Sequence, residues 1–186
     1  LVDYDIMVHS SAQADSNGWR IALVIFIVSG TLWLGGVHVR AIIGNDLLKL
    51  GTLEFEEYIP PEAEREIFRL LSLSSIFVMG SYLVALVSSV AFLVASPYKL
   101  KEEGWLMISA ILFYLFVPVE VFTMFLDGKM IFNEFFTTAD NLVFRDLFIA
   151  RIGALAGTPF IATLCYYTII ALAVFQPLKK RPHTTA

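Results

Sequence analysis

The sequence predicts an all-α integral membrane protein, a four-helix transmembrane bundle with an interfacial amphipathic segment. Three observations predict it. The chain of 186 residues is 58% hydrophobic and only 16% charged, whereas soluble domains carry about 25% charged residues. Its mean hydropathy is +0.74. Residues 21–39, 70–98, 105–126 and 152–178 form long stretches with almost no charge, and about 20 apolar residues suffice for a helix to cross about 30 Å of hydrocarbon. These spans and their connectors occupy nearly the whole length, so one domain, 1–186, is expected.

The first span, 21–39, follows Asp3, Asp5, Asp15 and then Arg20. A signal peptide would place a basic region directly before the apolar one, so this segment is expected to be a retained span. The loop 40–69 contains Ile59-Pro60-Pro61 followed by Glu62, Glu64 and Glu66. Proline in the first turn with acids behind it starts a helix. The second helix is therefore expected to begin near Pro61, to run to about Ser96 and to protrude from the bilayer, since it would be roughly 54 Å long at the usual rise per residue.

The third span, 105–126, holds Pro118, which removes the backbone hydrogen bond to the carbonyl of Tyr114 and predicts a kink. The loop 127–151 carries apolar clusters (Ile131, Phe132, Phe135, Phe136, Leu142, Phe144, Phe148) among Asn133, Glu134, Asp140 and Asp146. That pattern fits a helix over 130–148 lying in the interface with its Phe side toward lipid, or a cover packed on the mouth of the bundle. In the fourth span, 152–178, Gly153 and Gly157 form a GxxxG pair and Pro159 predicts a kink. Small residues let helix backbones approach closely in lipid, so Gly35, Gly36, Gly153 and Gly157 are expected at helix contacts.

Antiparallel crossings put residues 1–20, 97–104 and the tail from Lys179 on one side, called side A, and the two longer loops on side B. Side A concentrates Arg20, Lys99, Lys101, Lys179, Lys180 and Arg181 beside span ends, while side B holds most of the carboxylates. The positive-inside effect then assigns both termini to the cytoplasm. Trp33, Tyr98, Trp105, Tyr166 and Tyr167 suit an interfacial aromatic belt.

Glu120 is the acid placed within a span, roughly 9 Å from its side B end. A carboxylate at that depth needs a partner, protonation or water. Arg151, His38, Ser72, Ser74 and Ser75 fall near the same level, so an intramembrane polar cluster of Glu120, Arg151, His38, Ser72 and Ser75 is expected. His38 also raises a single-histidine contact to haem, a pigment or copper, completed by another subunit or by Met124. The remaining histidines, His9 and His183, lie in the side A tails, which excludes a bis-histidine haem within the chain. Cys165 is the single cysteine, a small apolar packing residue that leaves no disulfide within the chain and no multi-cysteine metal site.

The net charge of −4 and the lack of a clustered basic face argue against a nucleic-acid partner. No Ser/His/Asp set, HExxH, phosphate loop, CxxC or dinucleotide glycine pattern occurs, so no enzymatic activity is expected. The run Trp33-Leu34-Gly35-Gly36 resembles small four-helix bacterial inner-membrane proteins of the copper-resistance D group. It departs from the group's histidine-rich pattern and implies no function here. The expected role is a non-catalytic accessory subunit of a larger membrane complex, of the energy-transducing or redox (electron-transport) kind, with the bilayer and other membrane subunits as partners. A small homo-oligomeric transporter or channel using Glu120 is the alternative, and a cofactor binder using His38 the third.

Overall fold

Long apolar runs with few interior prolines lead to an all-helical chain in the computed structural model. It describes the side chains of residues 17–137, 140–153 and 157–179, together with the helical backbone of 2–16. In order, the helices are α1 (Val2–Asn45), α2 (Pro61–Ala95), α3 (Gly104–Leu115), α4 (Val117–Phe136), α5 (Asn141–Ile152) and α6 (Thr158–Phe175). Four of its helical stretches, Asn17–Asn45, Pro61–Ala95, Gly104–Phe136 and Thr158–Phe175, are long and apolar enough to cross a membrane.

Pro61 begins α2 in its first turn, with Glu62 and Glu64 behind it, where carboxylates favour the positive end of the helix dipole. Pro118 acts at the join of α3 and α4. With no amide hydrogen at that position the regular ladder is interrupted, and Phe116 adopts φ −95° and ψ 0° between the two helices. The third apolar stretch is therefore interrupted at Phe116, immediately before the first turn of α4, which carries Glu120.

The boundaries differ from expectation on side B. Helix α4 continues to Phe136 instead of ending at residue 126, and α1 continues to Asn45. The expected single helix over 130–148 is instead the end of α4, a break that includes Thr137 and Asp140, and α5. Asp140 caps α5 by accepting a hydrogen bond from the Leu142 amide at 2.8 Å, which explains where the second helix restarts. Phe132 and Phe136 are exposed, but Phe144 and Phe148 are buried, so α5 covers the bundle mouth instead of turning a continuous Phe face outward.

The fourth crossing is shorter than 152–178. Gly153 ends α5, while Gly157, at φ 83°, precedes α6 with Pro159 in the first turn. A left-handed backbone is readily adopted by glycine. Gly153 and Gly157 thus lie at the ends of two different helices and present no shared helical face; residues 154–156 between them lie outside the described part.

Three hydrophobic clusters follow one another along the bundle. Trp19, Ala22, Phe92, Leu106 and Trp105 pack at one end, where the backbones of Glu103 and Lys179 also pair in an isolated antiparallel bridge. Trp33, Val78, Tyr82, Phe113, Phe116, Ala162 and Tyr166 fill the middle. Leu47, Leu48, Phe68, Leu71, Met130, Phe144 and Phe148 form the third, at the side B end. The start of the described part of α1 and the end of α6 share the first end, as four successive antiparallel stretches require. Trp33 and Tyr166 are core residues, not belt residues, with ring centroids 4.6 Å apart. Trp19 and Tyr98 pack edge to face at 5.7 Å and mark the side A end.

Candidate functional site: a buried ion-pair ladder on side B

The side chains with the most chemical potential gather where α1, α2, α4 and α5 meet. Arg40, near the end of α1, meets Asp127 of α4 through two parallel hydrogen bonds, Nη1 to Oδ2 at 3.0 Å and Nη2 to Oδ1 at 2.7 Å. Arg151, at the end of α5, donates from Nε to the same Asp127 Oδ1 at 2.6 Å. Both partners of the first pair are almost inaccessible, at 5% and 3% side-chain exposure. Two-toothed guanidinium–carboxylate contacts are among the strong, directional hydrogen bonds. One carboxylate therefore ties three helices together.

Further from the bundle centre, buried Glu64 of α2 accepts from Arg145 Nε at 2.6 Å and from Asn141 Nδ2 at 3.3 Å. Arg145 also covers the Phe55 ring at 4.8 Å. Arg65 donates to Glu134 of α4 at 3.3 Å. Each bridge joins residues distant in sequence and different helices. Together they clamp α5 and the loop before α2 onto the protruding ends of α2 and α4.

The expected polar cluster is only partly assembled. Arg151 belongs to the ladder, but its carboxylate is Asp127, not Glu120. Glu120 is half-buried and makes no side-chain hydrogen bond or ion pair among the described residues; Arg151 and Asp127 act on it only through space. Asp127 with Arg40 and Arg151 carries a net positive charge. Glu120 is placed to balance that charge at longer range.

His38 points elsewhere. Its Nδ1 contacts the Leu34 carbonyl at 2.7 Å and its Nε2 contacts the Tyr167 hydroxyl at 3.2 Å, on the exposed side of α1. The tautomer with hydrogen on Nδ1 lets Tyr167 donate to Nε2. Ser74 and Ser75 donate back to the Leu71 carbonyl, each at 2.8 Å, a common way for hydroxyls to be satisfied inside a helix. The buried hydroxyl of Ser72 has no hydrogen-bond partner among the described residues. None of these groups hydrogen-bonds to Glu120.

Of the small residues, Gly36 is a close-contact position, where an added Cβ would lie 2.6 Å from Val78 Cγ2 of α2. Gly35 faces open space. Gly44 performs a task similar to that of Gly36 at the cap, since a Cβ there would lie 2.7 Å from the Phe148 ring. Among the described residues no group of three or more His, Cys, Asp or Glu side chains is arranged to hold a metal.

Two hydroxyls in the middle cluster stand out. The buried Tyr82 and Tyr166 oxygens face each other without a well-formed hydrogen bond among the described residues, and both phenols lie within electrostatic reach of Glu120. An acid, two facing buried phenols and a helix break at Phe116 therefore occupy one zone of the bundle. Comparison with known proteins adds no assignment: no family model matches the chain, and no curated protein or solved structure gives a significant match.

Proposed function

We propose that the protein is a non-catalytic accessory subunit of a larger membrane assembly, held to its partner by the side B cap. One observation carries this reading. The cap's buried carboxylates, Glu64 and Asp127, are engaged in bracing helices to one another, while Leu50, Tyr58, Phe136 and Leu142 remain 92%, 73%, 72% and 68% exposed. About 30 Å of hydrocarbon accounts for about 20 residues of each crossing. Helix α2, with 35 residues, is roughly 53 Å long, so the start of α2, the end of α4 and α5 extend beyond the apolar layer. Exposed apolar side chains at that level mark a contact surface for another protein.

Native mass spectrometry after gentle extraction tests the proposal. A co-purifying membrane chain that is lost on Phe136→Ser and Tyr58→Ser substitution, with the fold retained, is the expected result. A lone monomer defeats it, and a homo-oligomer favours a self-assembling transporter. The identities of the partners and their absorption spectrum decide whether the assembly is an energy-transducing or redox complex.

The buried, facing hydroxyls of Tyr82 and Tyr166 within reach of Glu120 favour a second reading, in which water beside Glu120 forms part of a proton or ion path. Glu120→Gln would then abolish flux into liposomes while leaving assembly intact. A haem or pigment at His38 has less support, because Tyr167 must first leave Nε2. Spectra of the purified protein with and without His38→Ala test it directly.

A further inference from the structure

A groove of about 510 Å³ runs between α4 and α5, with Phe132, Val143 and Leu147 as apolar walls, Asn133 and Thr137 toward the hairpin turn, and Lys129 on the rim. Gly128 also lines it, and a Cβ added there would meet nothing within 4 Å. The missing side chain leaves the space open. The groove lies outside the apolar layer. From Trp105, at the side A end of the third apolar stretch, about 20 residues of helix cross the hydrocarbon and end near Phe125. Lys129 then stands roughly 6 Å beyond that level and Asn133 roughly 12 Å beyond it. Phe132 and Val143 are exposed there, where headgroups and water, not acyl chains, surround them.

Charge narrows the occupant. The Lys129 ammonium lies 4.4 Å from the centre of the Phe125 ring, a contact that attracts a cation without neutralising it. No lining residue of the groove is acidic, and among the described residues Lys129 has no acidic partner. The carboxylates nearest in sequence are taken, Asp127 by Arg40 and Arg151 and Glu134 by Arg65. Position narrows it further, since Thr137 and Val143 directly follow Phe136 and Leu142, two exposed residues of the docking surface. The groove is the recess of that surface.

We infer that the groove receives an amphipathic helix of the partner subunit, with apolar side chains one turn apart against Phe132, Val143 and Leu147 and an Asp or Glu paired with Lys129. Helices seat in apolar furrows through anchors spaced at i, i+3 and i+4, and the unpaired lysine selects an acidic helix over a basic one. The inference rests on the subunit reading and deepens it by naming the chemistry of the partner segment.

Photo-crosslinking of the full chain in its native membranes provides the test. A crosslinking phenylalanine analogue replaces Val143 inside the groove or, in a separate variant, Phe136 outside it, and the attached peptide is sequenced. The Val143 probe is expected to capture another membrane protein at a helical segment with an acid within one turn of the attachment point. Lys129→Glu and Gly128→Leu should each lower that yield about fivefold. Lys129 is exposed without an ion pair, and the space above Gly128 is open, so neither change disturbs a helix contact. Replacing the captured acid by Lys should restore the yield in Lys129→Glu. Failure of that charge swap, an unchanged yield in either variant, or capture of lipid alone or of a second copy of this chain would overturn the inference. A product from the Phe136 probe with none from Val143 would overturn it while the subunit reading stands; no product from either position would remove both.

Discussion

The middle of the bundle and its side B cap are held together by different physics. In the middle, rings interlock: Trp33 lies 4.9 Å from Tyr82 and 4.6 Å from Tyr166, and Phe113 lies 5.8 Å from Tyr166. Serines there bond mostly to their own helix; Ser88 donates to the Val84 carbonyl at 2.6 Å, and one cross-helix contact joins the Ser89 and Tyr114 hydroxyls at 2.9 Å. In the cap, buried carboxylates each receive arginines from other helices. Lipid supplies no hydrophobic drive between helices, so close packing must do the work within it. A protruding cap too small for a large core adds charge-assisted bonds to the cluster around Phe68 and Phe144.

The largest expected effect comes from breaking the ladder at its shared acid. Asp127→Asn leaves buried Arg40 and half-buried Arg151 near each other with only Glu120 at a distance. Removing one member of a buried pair costs about 3 to 5 kcal/mol. Thermal unfolding in detergent should show this loss. A change below about 1 kcal/mol would mean that the ladder behaves like a surface pair, and the contrast between the regions would collapse.

Phe144→Ala attacks the same region through its apolar side. The Phe68 and Phe144 rings stack at 4.1 Å with an interplanar angle of 17°, and both are buried. Truncating a buried Phe costs about 3 kcal/mol or more. Amide exchange should show the damage concentrated in α5 and the loop before α2, with the middle cluster still protected. Uniform loss of protection would make the cap and the bundle a single cooperative unit.

Much of the architecture is legible in the sequence because lipid narrows the options. An apolar run that must satisfy its own backbone bonds becomes a helix, and proline punctuates it, so the start of α2 at Pro61 and the bend after α3 both follow from residue type. The ladder is harder to see. Arg40 and Asp127 stand just beyond the expected ends of their spans, where a charge reads as a solvated loop residue; instead the helices continue and turn those charges inward. Glu120 draws attention as the acid inside a span, yet the acid that binds arginine lies two turns further along. Antiparallel counting places Arg40, Asp127 and Arg151 at one level, a signal that spacing within one helix cannot carry. Gly153 and Gly157 mislead for the opposite reason, because the GxxxG reading presumes a continuous helix, whereas Gly157-Thr158-Pro159 starts a new one.

Tyr166→Phe should have a smaller effect, of the opposite character. The Tyr166 hydroxyl is buried and faces that of Tyr82 without a well-formed hydrogen bond among the described residues, and removing a poorly satisfied polar group while keeping the ring takes away nothing that packing needs. Stability should stay level or rise slightly. A loss of about 1 kcal/mol or more would show that the oxygen bonds water beside Glu120. That outcome would strengthen the ion-path reading and weaken the description of the middle as held by packing alone.

The smallest effect is expected at the outer edge of the cap, where charge meets water. Lys49 donates to Glu57 at 2.9 Å and lies 3.6 Å from Glu54, all exposed. The Glu57 contact raises the Lys49 pKa above its ordinary value, while Lys49 holds Glu57 below the usual carboxylate range. The signs set a window. The Glu57 contribution is present above the ordinary carboxylate pKa and fades as pH falls through the lowered one; the Lys49 contribution is complete below the ordinary lysine pKa and is lost as pH rises through the raised one. Opening of the surrounding turn, where Lys49 donates to Glu54 through the backbone at 2.8 Å, should therefore be flat with pH between these limits and increase outside them. Amide exchange corrected for its intrinsic pH dependence can follow this, and Lys49→Gln should remove both edges while leaving the melting temperature unchanged. Salt screens exposed pairs but hardly reaches buried ones, so moderate salt should imitate Lys49→Gln and leave the Arg40–Asp127–Arg151 contacts intact; salt-induced opening of α5 would instead show that water reaches the ladder.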